Sequence, residues 1–182
     1  MFKKLSIFLV LVVTVTAIYF ATQGPKEGKI KKFLEPGSSY VPFSLPTLKG
    51  KRIDTKNLEG KVLFINFWAT WCPSCKEEMP SMQWLYERLN KKYPGKFKML
   101  AVSIDSVDVP VVVKMFMLDL KLNFPVLLDT DGAIKDKYNT TGVPETYIVD
   151  QKGKIFKVDI GAVDWRDPKN YEPIEKQIEK GK

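Results

Sequence analysis

Residues Lys61–Glu78 read KVLFINFWATWCPSCKEE, and this stretch decides the fold. Val62–Trp68 is a near-continuous apolar run, the pattern of a strand covered on both faces. A short loop follows, holding the chain's only two cysteines, and Pro73 suits the first turn of a helix. Met79, Met82, Leu85, Tyr86 and Leu89 then recur at three- and four-residue steps to about Asn90, with Pro80 expected to bend the helix. The first N–H groups of a helix lack intrahelical partners, and its dipole places partial positive charge there. Cys72 at that end is expected to have a stabilised thiolate, the species that attacks disulfides, with Cys75 one turn on to resolve the product.

Other readings of two cysteines at this spacing are weaker. Zinc takes four ligands, and the chain has two thiols and no histidine, so no metal site is expected. As a structural staple, the closed four-residue loop contributes roughly 2 kcal/mol, little help to a domain with a full core. The absence of histidine also excludes Cys–His proteases and Ser–His–Asp hydrolases. An anchored thiol-metal chaperone remains as a non-enzymatic alternative. No cofactor is called for.

The net charge of +8 is spread thinly. Residues 1–39 hold six Lys against two Glu, and the rest carries both signs without a basic stripe, so nucleic acid is not an expected partner. Leu5–Gly24 is uncharged and long enough, at about 30 Å as a helix, to cross a bilayer. A retained anchor over residues 1–24 is favoured over a cleaved signal peptide, because the apolar run continues through Ile18, Tyr19 and Phe20. Lysines on both sides leave orientation undecided by charge alone; an exposed dithiol on a tether suits the extracytoplasmic side. Residues 25–39 read as a polar linker and 40–182 as the domain.

Along the domain, Phe43–Leu48 alternates like an edge strand, with a turn before Arg52-Ile53 and a helical turn capped by Asp54 or Thr55. Phe97–Ile104 reads as a strand, Pro110–Leu122 as a helix entered through Asp108, Phe124–Leu128 as a strand and Ala133–Tyr138 as a short helix. Thr146–Val149 and Ile155–Val158 form a hairpin, and Pro168–Lys180 closes the chain as an amphipathic helix. The order ββαβαβαββα mixes crossovers with a terminal hairpin and predicts a three-layer α/β domain with a mixed sheet.

The segment Asn66-Phe-Trp68-Ala-Thr-Trp71-Cys72-Pro-Ser-Cys75 resembles the active site of thioredoxin-fold proteins. More closely, residues 40–165 resemble the membrane-anchored TlpA/ResA/CcmG-like thiol-disulfide oxidoreductases. That resemblance implies a thioredoxin-like fold with an N-terminal β extension and a central insertion, here Pro110–Asp131, preceded by one transmembrane helix. It also implies a cis peptide at Pro144, which with Val143, Trp71 and Pro73 would face the substrate.

Glu78 matches the acid of a C-x-x-C-x-x-E pattern and is expected either to relay a proton or simply to favour the helix dipole. Glu145 resembles an acid of the CcmG-like branch and is expected either to meet substrate or to be a plain surface acid. Where thioredoxin has a buried Asp, the chain has Asn66, which cannot titrate and leaves Glu78 as the proton acceptor. Trp68 either shields the disulfide with Trp71 or belongs to the core.

The activity implied is reduction of protein disulfides during cytochrome c maturation. Its partners would be apocytochrome c and an integral membrane thiol carrier that supplies electrons. The alternatives are a DsbA-like oxidant, which would carry a His between its cysteines and a helical insert, and a peroxidase. The peroxidase pattern Pro-x-x-x-Thr-x-x-Cys fails here, with Ile65 at the proline position and Thr70 two residues before Cys72.

Overall fold

Packing on both faces of one sheet places the dithiol. The computed structural model describes residues 12–16, 18–19 and 34–181. Two compact units divide the chain, 1–32 and 33–182. In the first, residues 12–16 and 18–19 are helical, and the rest of the expected anchor lies outside the described residues. Among the described residues no helix is long and apolar enough to cross a membrane.

The second unit opens with β1 (Ser44–Pro46) and β2 (Arg52–Asp54), an antiparallel pair, then a 3-10 turn (Thr55–Leu58) capped by the Asp54 carboxylate. Next come β3 (Val62–Trp68), α1 (Pro73–Lys92), β4 (Phe97–Ser103), α2 (Val109–Asp119) and β5 (Val126–Leu128). The chain ends with α3 (Ala133–Tyr138), β6 (Glu145–Val149), β7 (Ile155–Ile160) and α4 (Pro168–Lys180). The main sheet has the order β5-β4-β3-β6-β7. β3, β4 and β5 run parallel; β6 is antiparallel to β3 and β7 to β6. This is the expected mixed three-layer α/β sheet.

β3 is central and buried at all seven positions, which is why its sequence is apolar without alternation. Alternate side chains feed two cores. Phe64 and Trp68 join Met79, Met82 and Leu85 of α1, Val113 of α2 and Ile174 of α4 on one face. Leu63, Ile65 and Phe67 join Phe43, Leu45 and Tyr138 on the other.

The leader is a hairpin of its own: β1 pairs with β2 across the turn at residues 49–51, and only an isolated bridge, Thr47 to Leu127, reaches β5. Two boundaries change. The linker ends before residue 39, because Gly37 N–H donates to the Ile155 carbonyl (2.7 Å) and Ile155 N–H to the Ser38 carbonyl (2.9 Å). Helix α2 starts at Val109, and Asp108 at its N-cap adopts φ +46° and makes no side-chain cap.

Candidate active site

The parallel strand β3 ends where α1 begins, so the loop between them is short and held at both ends. Cys72 is the N-cap of α1 and Pro73 its exposed first residue. Cys72 and Cys75 are joined as a disulfide, with Cα atoms 5.3 Å apart. Cys75 is fully buried and Cys72 nearly so. Cys72 Sγ accepts from the Cys75 backbone N–H at 3.1 Å, so the helix already supplies a donor where a thiolate would form.

The wall opposite is Val143-Pro144, whose peptide bond is cis. Val143's carbonyl oxygen lies 3.5 Å from Cys72 Sγ, which brings together the two segments the sequence places 71 positions apart. Pro144 is buried and its own carbonyl accepts from Gly161 N–H (2.9 Å), leaving Val143 as the half-buried backbone beside the sulfur.

Trp71 is 66% exposed next to Cys72. Trp68 is fully buried, its ring centroid 5.0 Å from that of Phe116; it belongs to the core. The loop carrying Trp71 is pinned by Asp105, a buried acid that sequence reading missed. Its carboxylate accepts from Thr70 N–H (3.2 Å), Thr70 Oγ1 (2.7 Å) and Ser103 Oγ (2.7 Å).

Glu78 lies one turn beyond Cys75 on α1 and is only 2% exposed. Trp165 Nε1 donates to its Oε1 at 2.7 Å, and Asn66 Nδ2 approaches its Oε2 at 3.4 Å while donating to Thr146 Oγ1 at 2.9 Å. Burial pushes the carboxyl up to about 7; donors at Trp165, Val163 and Asn66 oppose the rise and the Asp159 charge adds to it. The Glu78 proton is thus held up to near neutrality, the range a group that takes and gives protons would need.

Asn66, at the position expected to match thioredoxin's acid, points its amide N–H toward Glu78 instead. Trp165 went unread because it approaches from 87 positions away. The one local signal is an isolated Trp shortly before the Asp167-Pro168 helix start.

Trp165→Phe keeps the ring that packs edge-on against Phe64 but removes the N–H. That bond favours the ionised carboxylate, so the apparent pKa of Glu78 should rise above 7 with little loss of fold. A pH titration of the variant checks this; an unchanged or lowered midpoint contradicts it.

Glu145 is placed differently from either expectation. It is 3% exposed, accepts from Tyr147 Oη and from Thr141 N–H (3.0 Å), and so is neither a surface acid nor turned toward a partner. Strand alternation explains this: Glu145 pairs with Phe67 and shares its sheet face with Tyr147, whose phenol is pushed above its ordinary range by burial and by Glu145. Its carboxylate ties together residues on both sides of Pro144.

Comparison with known proteins fits this geometry. Residues 36–158 match the model of the AhpC/TSA family. The thiol-disulfide oxidoreductase ResA of Bacillus subtilis is 36% identical over 167 residues, covering 90% of this chain and 86% of that protein. The thioredoxin-like protein YneN of the same organism is 37% identical over 131 residues, 71% of this chain and 74% of its own. Among solved structures, StoA from Bacillus subtilis superposes with a TM-score of 0.62 at 29% identity, covering 75% of this chain and 99% of that one.

Proposed function

Because the chain belongs to the AhpC/TSA family, and among its members to the ResA-like thiol-disulfide oxidoreductases, we propose that it reduces protein disulfides outside the cytoplasm, tethered to the membrane by residues 1–24. The observation that carries this reading is the Cys72–Cys75 pair closed at a helix N-terminus against the cis Val143-Pro144 wall. The uncharged run Leu5–Gly24 supports the tether, and a redox dithiol carried on that tether supports the outward side.

The proposed reaction gives each group one step. The Cys72 thiolate attacks one sulfur of the substrate disulfide, forming a mixed disulfide and expelling the other sulfur as a thiolate. Cys75 gives its proton to the Glu78 carboxylate and attacks Cys72 Sγ. The second substrate thiolate leaves, and the Cys72–Cys75 disulfide forms as two electrons pass to the substrate. The dithiol of an integral membrane carrier then returns the pair to its reduced form. Trp71, Pro73, Val143 and Pro144 frame the substrate's approach, and Glu145 holds that wall from behind.

The substrate we favour is apocytochrome c, whose haem-binding cysteines must be reduced before haem attaches. Cells producing the Cys75→Ser chain test this: the adduct captured on Cys72 should contain apocytochrome c. An adduct population without it removes the cytochrome assignment. In intact cells treated first with a membrane-impermeant reductant, labelling of Cys72 by a membrane-impermeant thiol reagent tests the location, and protection from the reagent contradicts it.

A further inference from the structure

Helix α2 is apolar on both sides, and only one of them is needed for the core. Val109, Val113 and Met117 are buried, and Phe116 packs on Trp68 directly beneath the active-site loop. On the outer side, Val111 is 63%, Met115 58% and Leu118 67% exposed. These residues stand four and three positions apart and so form one stripe. Between Asp108 and Asp119 the helix carries no acid, and Lys114 is its only charge.

The helix is joined to the dithiol's rim at two points. Phe116 packs on Trp68 at the end of β3, and Asp105, just ahead of the helix and of exposed Val107, binds Thr70 in the loop that bears exposed Trp71. At the far end, Leu118 lines a groove of about 630 Å³ together with Leu48, Tyr86, Met117, Phe124 and Val126.

We propose that this outer face of α2 and its groove hold an unfolded, apolar segment of the disulfide-bearing substrate, flanking the cysteine that reacts with Cys72. The inference rests on the disulfide-exchange reading. Exchange requires the partner's sulfur to reach Cys72, so its chain must cross the rim where the stripe begins. From Val111 to Leu118 is about 10 Å along the axis. An extended chain covers that distance and the approach from Cys72 in roughly four to eight residues. A concave groove at the end accepts a side chain rather than a bilayer. Three side chains on one stripe fall far short of the roughly 800 Å² per partner of a stable dimer. Folded substrates bury such segments; unfolded ones offer them, and Met115 adapts to varied shapes.

The test uses the full chain, reduced, with Val111→Glu, Met115→Glu and Leu118→Glu combined. Its substrates are glutathione disulfide and two disulfide-linked peptides, one with Leu and Phe four to eight residues from the cysteine, one with Ser and Gly there. Wild type should show a KM about 10-fold lower for the apolar peptide. The variant should lose that preference while kcat and the rate on glutathione disulfide stay unchanged. A wild type without the preference, or a variant that keeps it, overturns the proposal. So does a variant whose only change is lost binding to lipid vesicles or lost self-association. Wild-type failure on glutathione disulfide as well would instead remove the oxidoreductase reading beneath it.

Discussion

With Cys75 replaced by Ser, the protein should stop halfway through its reaction and remain covalently joined to its substrate. Cys72 at the helix N-terminus still attacks, because its donor is the backbone N–H of residue 75, which the substitution leaves in place. Without the second thiol nothing expels the bound half of the substrate. Cys72→Ser should give no adduct, and turnover should fall by at least about 10³-fold. Both variants should fold, since the short disulfide loop contributes only roughly 2 kcal/mol. Adducts are read by non-reducing electrophoresis and mass spectrometry. Adduct formation through Cys75 in the Cys72→Ser chain would reverse the two roles.

Glu78→Gln should separate activity from stability. A carboxyl with an unfolded-state pKa near 4.5 and a folded one of about 7 binds more protons when folded between those values. Stability contributed by this group is therefore full below about pH 4.5 and lost as pH rises through 7. At pH 8 the buried charge costs about 3 kcal/mol. Glutamine cannot ionise yet retains an oxygen for Trp165 Nε1, so the variant should be more stable than wild type at pH 8 and lose the downward slope between pH 5 and 8. Its resolution of mixed disulfides should slow on the order of 10²-fold, with the limb near pH 7 gone from the rate profile. Denaturant unfolding at several pH values and single-turnover kinetics check the two halves. A stable variant with wild-type kinetics would leave Glu78 a purely structural acid.

These two predictions draw on residues of unequal legibility. Cys72 and Cys75 can be read locally, because a buried strand, a short loop and a proline-started helix lie within eighteen residues. β3 matches its expected bounds Val62–Trp68 for the same reason: a central strand buried on both faces writes its full length as apolar sequence. Glu78 is found by spacing, but its chemistry comes from Asn66, Val163 and Trp165, which converge only when β3 and the segment after β7 close over α1.

Glu145 misleads in sequence because an acid after a loop suggests surface, while the Tyr147 hydroxyl and Thr141 N–H that offset its burial are supplied by the folded strand. The leader, by contrast, is legible locally, since β1 meets β2 across the turn at residues 49–51. The outer face of α2 has no sequence signature of its own. An all-round apolar helix looks like core until Val111, Met115 and Leu118 are seen to face outward.

The direction of electron flow is the claim on which the rest depends, and the reduction potential of the Cys72–Cys75 pair measures it. Equilibration of the purified chain with a defined thiol–disulfide buffer should give a value near or below about −230 mV, that of a donor to protein disulfides. A value near −120 mV would make the same dithiol an oxidant and contradict the account.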